Sequence, residues 1–142
     1  MQPKDIADAM YSNDNFSQWL GIHILEIKHG YSKIKMTVRQ EMTNGFDIAH
    51  GGISYSFADS AFAFASNSEG RLAVSIETSI SHTSSIHTDD VLTAVATMEN
   101  TSHKLSIYNV KVTNQDNIIV ALFKGTVYRK SKNWDEIKKT KN

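Results

Sequence analysis

A single carboxylate stands in an otherwise uncharged stretch. From His50 to Ser68 the chain reads H-G-G-I-S-Y-S-F-A-D-S-A-F-A-F-A-S-N-S, and its one formal charge is Asp59. Placing a carboxylate among apolar neighbours costs free energy unless something pairs with it. Such a group can take a proton from water, or attack a carbonyl to give an anhydride. Burial raises its pKa, which suits a base. The bland alternative is an Asp bonded to a neighbouring hydroxyl such as Ser56 or Ser60.

The same stretch opens on Gly51-Gly52. Residues 51–67 are rich in Ala and lack Pro, and Gly70 follows them, so the pattern predicts a helix. Ile53, Phe57, Ala61 and Phe64 mark one stripe, while Tyr55, Phe62 and several Ala cover much of the remainder. A helix apolar on most sides is a buried helix. Its first N–H groups have no intrahelical partner and sit at the positive end of the dipole. Gly51, with Gly52 beside it, is therefore a candidate donor to a carbonyl oxygen that gains negative charge. The alternative is that both glycines serve only the turn into the helix. Gly51 and Asp59 are eight residues apart, about 12 Å along the axis at ~1.5 Å per residue. One reacting carbon cannot touch both on one straight helix. A second copy of the helix, antiparallel to the first, would bring Asp59 of one subunit to Gly51 of the other, so a homodimer with shared sites is expected.

The remaining elements must hold that helix. Residues 3–13 form a short helix with Pro3 near its start, and Phe16, Trp19 and Leu20 a second apolar turn. Residues 22–29 and 32–40 are strands joined at Gly30; Ile34, Met36 and Val38 alternate with Lys33, Lys35, Thr37 and Arg39. Four further strands fall at about 72–81, 91–100, 105–113 and 118–129, with turn signals at Asp89-Asp90, at 100–104 and at 114–117. The economical packing is α+β: one antiparallel sheet wrapped around one long central helix, the hotdog fold. Residues 1–130 make a single domain, and 131–142 a polar, lysine-rich tail for which Trp134 is a candidate anchor.

Bulk properties exclude several classes. The 142 residues suit one domain, and 40% apolar with 21% charged residues is ordinary globular composition. Fifteen basic residues balance fifteen acidic ones, which gives no electrostatic case for nucleic acid or a membrane surface. No apolar run is long enough for a membrane span, and no signal peptide is visible. The absence of Cys removes disulfides, thiolate metal sites and a Cys nucleophile, and fits a cytoplasmic location.

N-G-F-D-I-A-H-G-G followed by A-D-S-A-F-A-F-A-S-N-S-E-G resembles the phenylacetate-degradation (PaaI-type) acyl-CoA thioesterases. The last strand, V-A-L-F-K-G-T-V-Y-R, and D-D-V-L-T-A-V-A look like that family too, so the likeness spans roughly residues 16–130. An Asn six residues before the His and an Asp nine after it are the specific part. The resemblance implies hydrolysis of acyl-CoA, with an aryl or phenylacetyl-type acyl group, without a metal or other cofactor. It implies a tetramer of two shared-site dimers. It places Asn44 in the active-site loop, holding the water or the substrate carbonyl, and gives His50 the bracing of that loop. A hydroxyl from the third strand, Ser75 or Thr78, is implied near the water. Arg71, His103 and Lys104, all beside turns, are candidates for the polar end of CoA. Phe46, Tyr55, Phe62 and Phe64 are candidate acyl-pocket residues, though most are expected in the core. The chain departs from the family at His82-Thr83-Ser84-Ser85, where an aromatic or Leu and then Arg-Pro are usual, and at Asp89 in place of Gly.

Three other readings compete. An acyl-CoA hydratase or dehydratase on the same fold uses Asp and His a few residues apart on the helix, and no His follows Asp59 within it. A CoA- or acyl-binding module without catalysis would tolerate loss of Asp59. A metal site from His82, His87 and Asp90 has a spacing that matches no common ligand pattern.

Overall fold

In the computed structural model, which describes residues 1–140, helices α1 (Pro3–Ser12) and α2 (Asn15–Leu20) precede strands β1 (His23–Lys28) and β2 (Tyr31–Thr37). A 3-10 turn at Gln40–Met42 leads to the long helix α3 (Gly51–Asn67). Strands β3 (Arg71–His82), β4 (Val91–Thr101), β5 (Leu105–Thr113) and β6 (Ile119–Asn133) follow, and α4 (Trp134–Thr140) closes the described chain. All six strands form one antiparallel sheet in the order β1-β2-β4-β5-β6-β3. This is the hotdog arrangement expected from the order of elements.

Alternation along the strands gives the sheet its inner face. Ile34 and Met36 of β2, Leu92, Ala94 and Ala96 of β4, Tyr108, Val110 and Val112 of β5, and Phe123 and Val127 of β6 are all buried. They meet Phe57, Ala58, Ala61, Phe62 and Ala65 of α3. The helix approaches closely because small residues allow it. A Cβ on Gly125 of β6 would stand 2.6 Å from the Phe62 ring. Phe62 also packs at ring-centroid distances of 5.5 Å from Phe123 and 5.9 Å from Tyr108. Ser32, wholly buried on β2, donates to the Ala61 carbonyl at 2.6 Å, so its burial leaves no hydroxyl unpaired.

The ends differ from the sequence reading in informative ways. Asn13 and Asp14 end α1 as expected, but Asp14 also starts the next element: its carboxylate accepts from Ser17 N and caps α2. β2 stops at Thr37, three residues short of the expected end, because the chain turns away into Gln40–Met42. β6 runs to Asn133 and leads directly into α4. Trp134 does serve as an anchor, its indole N–H donating to Asn67 Oδ1 at 3.0 Å. Residues 141 and 142 of the expected tail lie outside the described residues.

β3 lies at one border of the sheet and pairs only with β6. A bulge between Ser75 and Glu77 shifts its register. Ser75 stands opposite the buried Val127, and Thr78 opposite Gly125, so Ser75, Thr78, Ile80 and His82 share the face turned to α3. Beside them, Ile76 is 58% exposed and Val74 also opens to solvent.

Candidate active site

The loop before α3 is tied down at several points. Thr43 bridges Ala49, Ala49 N donates to Ile86 O, and His50 N donates to Met42 O. Asn44 Oδ1 accepts from Phe46 N at 2.9 Å in an Asx turn, and Asn44 lines the cleft beside Gly51. Asp47 takes a left-handed backbone, φ 61°, a conformation Asp tolerates better than most residues.

His50 is the N-cap of α3, and its Nδ1 accepts from Gly52 N at 2.8 Å. This corrects one expectation. Gly52 N–H is already engaged, so it cannot also serve a substrate carbonyl. Gly51 N–H remains. As the first residue of α3 it has no intrahelical partner, and none of the loop or cap hydrogen bonds engages it. A cleft of about 370 Å³ opens there, lined by Asn44, Gly51, Ser54, His82 and the segment Thr83–Ile86.

Asp59 sits two turns along α3, half-buried. No hydrogen bond or ion pair to another described residue reaches its carboxylate. Ser60, one of the hydroxyls that could have held it, bonds instead to Ser17 Oγ at 2.8 Å. Burial pushes the Asp59 pKa above the ordinary carboxylate value, and the nearby charge of Asp14 adds to the rise. Tyr55, one turn earlier, donates or accepts a short hydrogen bond with Thr78 across to β3.

The other sequence candidates divide by position. Ser75 lies on the helix-facing side of β3, toward the C-terminal half of α3. Arg71 is not free to bind a ligand: its guanidinium donates to the carbonyls of Lys130 and Arg129, both at 2.9 Å, and so joins the start of β3 to the end of β6. His103 and Lys104 are exposed in the β4–β5 turn. Lys104 O accepts from Arg129 N, which puts that turn at the C-terminal end of α3, remote from Gly51 within one chain. Phe62 and Phe64 are core residues, Tyr55 is half-buried, and Phe46 is 86% exposed. Of the residues weighed as metal ligands, Asp90 accepts from His87 N and Gln115 Nε2, an arrangement that shapes the turn before β4. A wider groove of about 740 Å³ crosses the sheet face turned away from α3 and is lined by none of the candidate residues.

Residues 46–121, which include the helix start and Asp59, match the thioesterase superfamily. The chain belongs to that superfamily. A protein of Archaeoglobus fulgidus is 44% identical over 124 residues, 87% of this chain and 80% of its own length. The acyl-coenzyme A thioesterase PaaI of Escherichia coli K12 is 38% identical over 87% of this chain and 88% of that protein. The solved structure of the E. coli PaaI protein, from the phenylacetic acid degradation operon, superposes with a TM-score of 0.90 at 36% identity, covering 92% of this chain and 95% of that one.

Within this thioesterase, two residues at the cleft escape a reading by motif. Ser54 is buried, with Oγ 3.1 Å from Gly51 O and 3.2 Å from His82 Nδ1. His82 was legible as a possible metal ligand, yet its neighbour is the helix start. The signal that finds it is the period-two count along β3 from Thr78, which passes through Ile80 to His82 on the helix-facing side. No helix among the described residues is long and apolar enough to cross a membrane.

Proposed function

We propose that the protein hydrolyses acyl-CoA thioesters to a free carboxylic acid and CoA, with an aryl-acyl or phenylacetyl-type group as the acyl part. One observation carries this reading. The chain offers an unengaged amide at Gly51 and a half-buried, unpartnered carboxylate at Asp59, too far apart along α3 to serve one reacting carbon within a single chain. Gly51 N–H polarises the thioester carbonyl, and Asp59 of the partner subunit takes the proton of the attacking water. Asn44 positions that water or the carbonyl through its side-chain amide, and His50 holds the loop in place through Gly52. CoA enters as part of the substrate, and the residues named need no resident cofactor or metal.

The partner is a second copy of this chain. β3 presents an unpaired edge with Val74 and Ile76 exposed on it, and such an edge is a template for pairing. An antiparallel match that brings Asp59 to Gly51 puts the two-fold axis near residue 55, midway between them, where Tyr55 and Thr78 are bonded. The same operation carries the partner's β4–β5 turn, with His103 and Lys104, toward the Gly51 cleft. There they are candidates for the CoA phosphates. Exposed apolar residues on the outer sheet face, Leu122 among them, fit further pairing of dimers into a tetramer. A cytoplasmic site of action, without nucleic-acid or membrane partners, accords with the absence of Cys and the balanced charge.

Release of CoA thiol from a panel of phenylacetyl-, hydroxyphenylacetyl-, benzoyl- and straight-chain acyl-CoAs tests the activity. No release from any member sinks it. Mixing Asp59→Asn with Gly51→Val protein under subunit exchange tests the shared site: one intact site re-forms in each mixed dimer and activity returns. Proven exchange without recovery rules the shared site out. The hydratase alternative is disfavoured because α3 carries no His beside Asp59.

A further inference from the structure

Capping leaves the helix start with one open amide where a two-amide oxyanion site would use two. Gly52 N–H donates to His50 Nδ1, so Gly51 N–H stands alone among the backbone donors there. An oxyanion held by a single amide is poorly stabilised, since removal of one donor from such a site commonly costs 10²-fold or more in rate. A further nitrogen at the helix start belongs to His82. Its Nε2 lies 3.3 Å from the point where a Cβ on Gly51 would stand, so the missing side chain leaves the imidazole room at the helix start. Both residues line the same cleft as Asn44.

The ring is held from behind. His82 ends β3, opposite Ala121, on the face turned to α3. Its Nδ1 is 3.2 Å from Ser54 Oγ, and Ser54 is 1% exposed, so the hydroxyl is a fixed point. The Ser54 proton has two acceptors within reach, Gly51 O and His82 Nδ1. When it turns to Nδ1, the neutral imidazole carries its proton on Nε2 and donates into the cleft.

We propose that His82 is a further catalytic residue, resting on the thioesterase reading above: His82 Nε2–H is the second hydrogen-bond donor, with Gly51 N–H, to the carbonyl oxygen of the bound thioester. Negative charge grows on that oxygen as water adds to the carbon, and both donors strengthen with it. No bond to His82 forms, and its proton stays on the ring.

The test compares His82→Phe and His82→Gln with the parent protein on its best acyl-CoA. Phe keeps a ring against Ser54 and Gly51 without a donor; Gln restores an N–H at similar reach. His82→Phe is expected to lose on the order of 10²-fold in kcat with KM within about threefold, at an unchanged melting temperature. His82→Gln is expected to recover on the order of tenfold of that loss. Ser54→Ala, which frees the ring, is expected to fall between parent and His82→Phe. A folded His82→Phe variant with kcat within threefold of the parent overturns the proposal, as does a loss confined to KM. If His82→Phe does not fold, equal activity of His82→Gln and His82→Ala overturns it. A parent that cleaves no acyl-CoA overturns the thioesterase reading and this one together; an active parent with an indifferent His82 overturns this one alone.

Discussion

Asp59 and Glu69 stand ten positions apart, one inside α3 and one just past its end, and the protein treats the two carboxylates in opposite ways. The Glu69 side chain is 6% exposed and lies between the Arg129 guanidinium, Nη2 at 3.4 Å, and the His29 imidazole, Nδ1 at 3.8 Å. Oε2 makes no hydrogen bond among the described residues, so its link to Arg129 is one of charge. The effect reaches Tyr108, whose hydroxyl pKa is pushed well up, by burial first and by the Glu69 charge second. Asp59 is less buried and has no cation beside it among the described residues. Its one charged influence is a like charge, Asp14. A carboxylate that only supports the fold is neutralised by what surrounds it. Asp59, proposed to take a proton from the attacking water, is left unneutralised, and the fold carries the cost.

The largest effect expected from this contrast is on rate. Asp59→Asn should lose on the order of 10²-fold or more in thioester cleavage, read as thiol release. A variant as fast as the parent would reduce Asp59 to a surface accident. Next comes stability at the other carboxylate. Arg129→Ala strands Glu69 in a buried position and should cost about 2 kcal/mol in denaturant unfolding, less than for a fully enclosed pair because Arg129 is partly open to water. Its activity per folded molecule should hold. A neutral Arg129→Ala would mean that Glu69 is not supported by charge after all.

The acid limb of the rate profile follows from the direction of the Asp59 shift. The proposed base must be ionised, so kcat/KM should fall as pH drops through a value raised above that of an ordinary Asp, and Asp59→Asn should lack that limb. The smallest effect is on stability, with the sign reversed from the usual carboxylate. Because the folded pKa is raised, the protonated form favours folding below the unfolded value, and that contribution is lost as pH rises through the folded value. Asp59→Asn should therefore melt no lower than the parent at neutral pH, and above it if the shift is realised. The gap should close on acidification. A variant that melts below the parent at neutral pH would show a partner for Asp59 that a single chain does not supply.

Much of this layout is legible in the residues themselves. The helix at 51–67 announces itself by Ala content and a closing Gly, and β2 by the strict alternation of Ile34, Met36 and Val38 with charged neighbours. The loop–helix motif marks Asn44, His50, Gly51 and Asp59. What stays hidden depends on where atoms meet across the fold. Nothing in H-G-G says that His50 takes Gly52 N–H and leaves only Gly51. Arg71 looks like a free cation beside a turn until β6 offers it two carbonyls. His82 looks like one of three metal ligands, with His87 and Asp90, until the β3 register turns it toward Ser54.

Gly125 and Phe62 carry one more lesson, about descent. The ring fills the space a side chain would occupy, so the two positions share one volume. A lineage that enlarges residue 125 must trim residue 62 in step, or let the helix drift along the sheet and carry Gly51 away from His82. Close homologues should therefore change these two positions together, although neither touches the cleft whose alignment they keep.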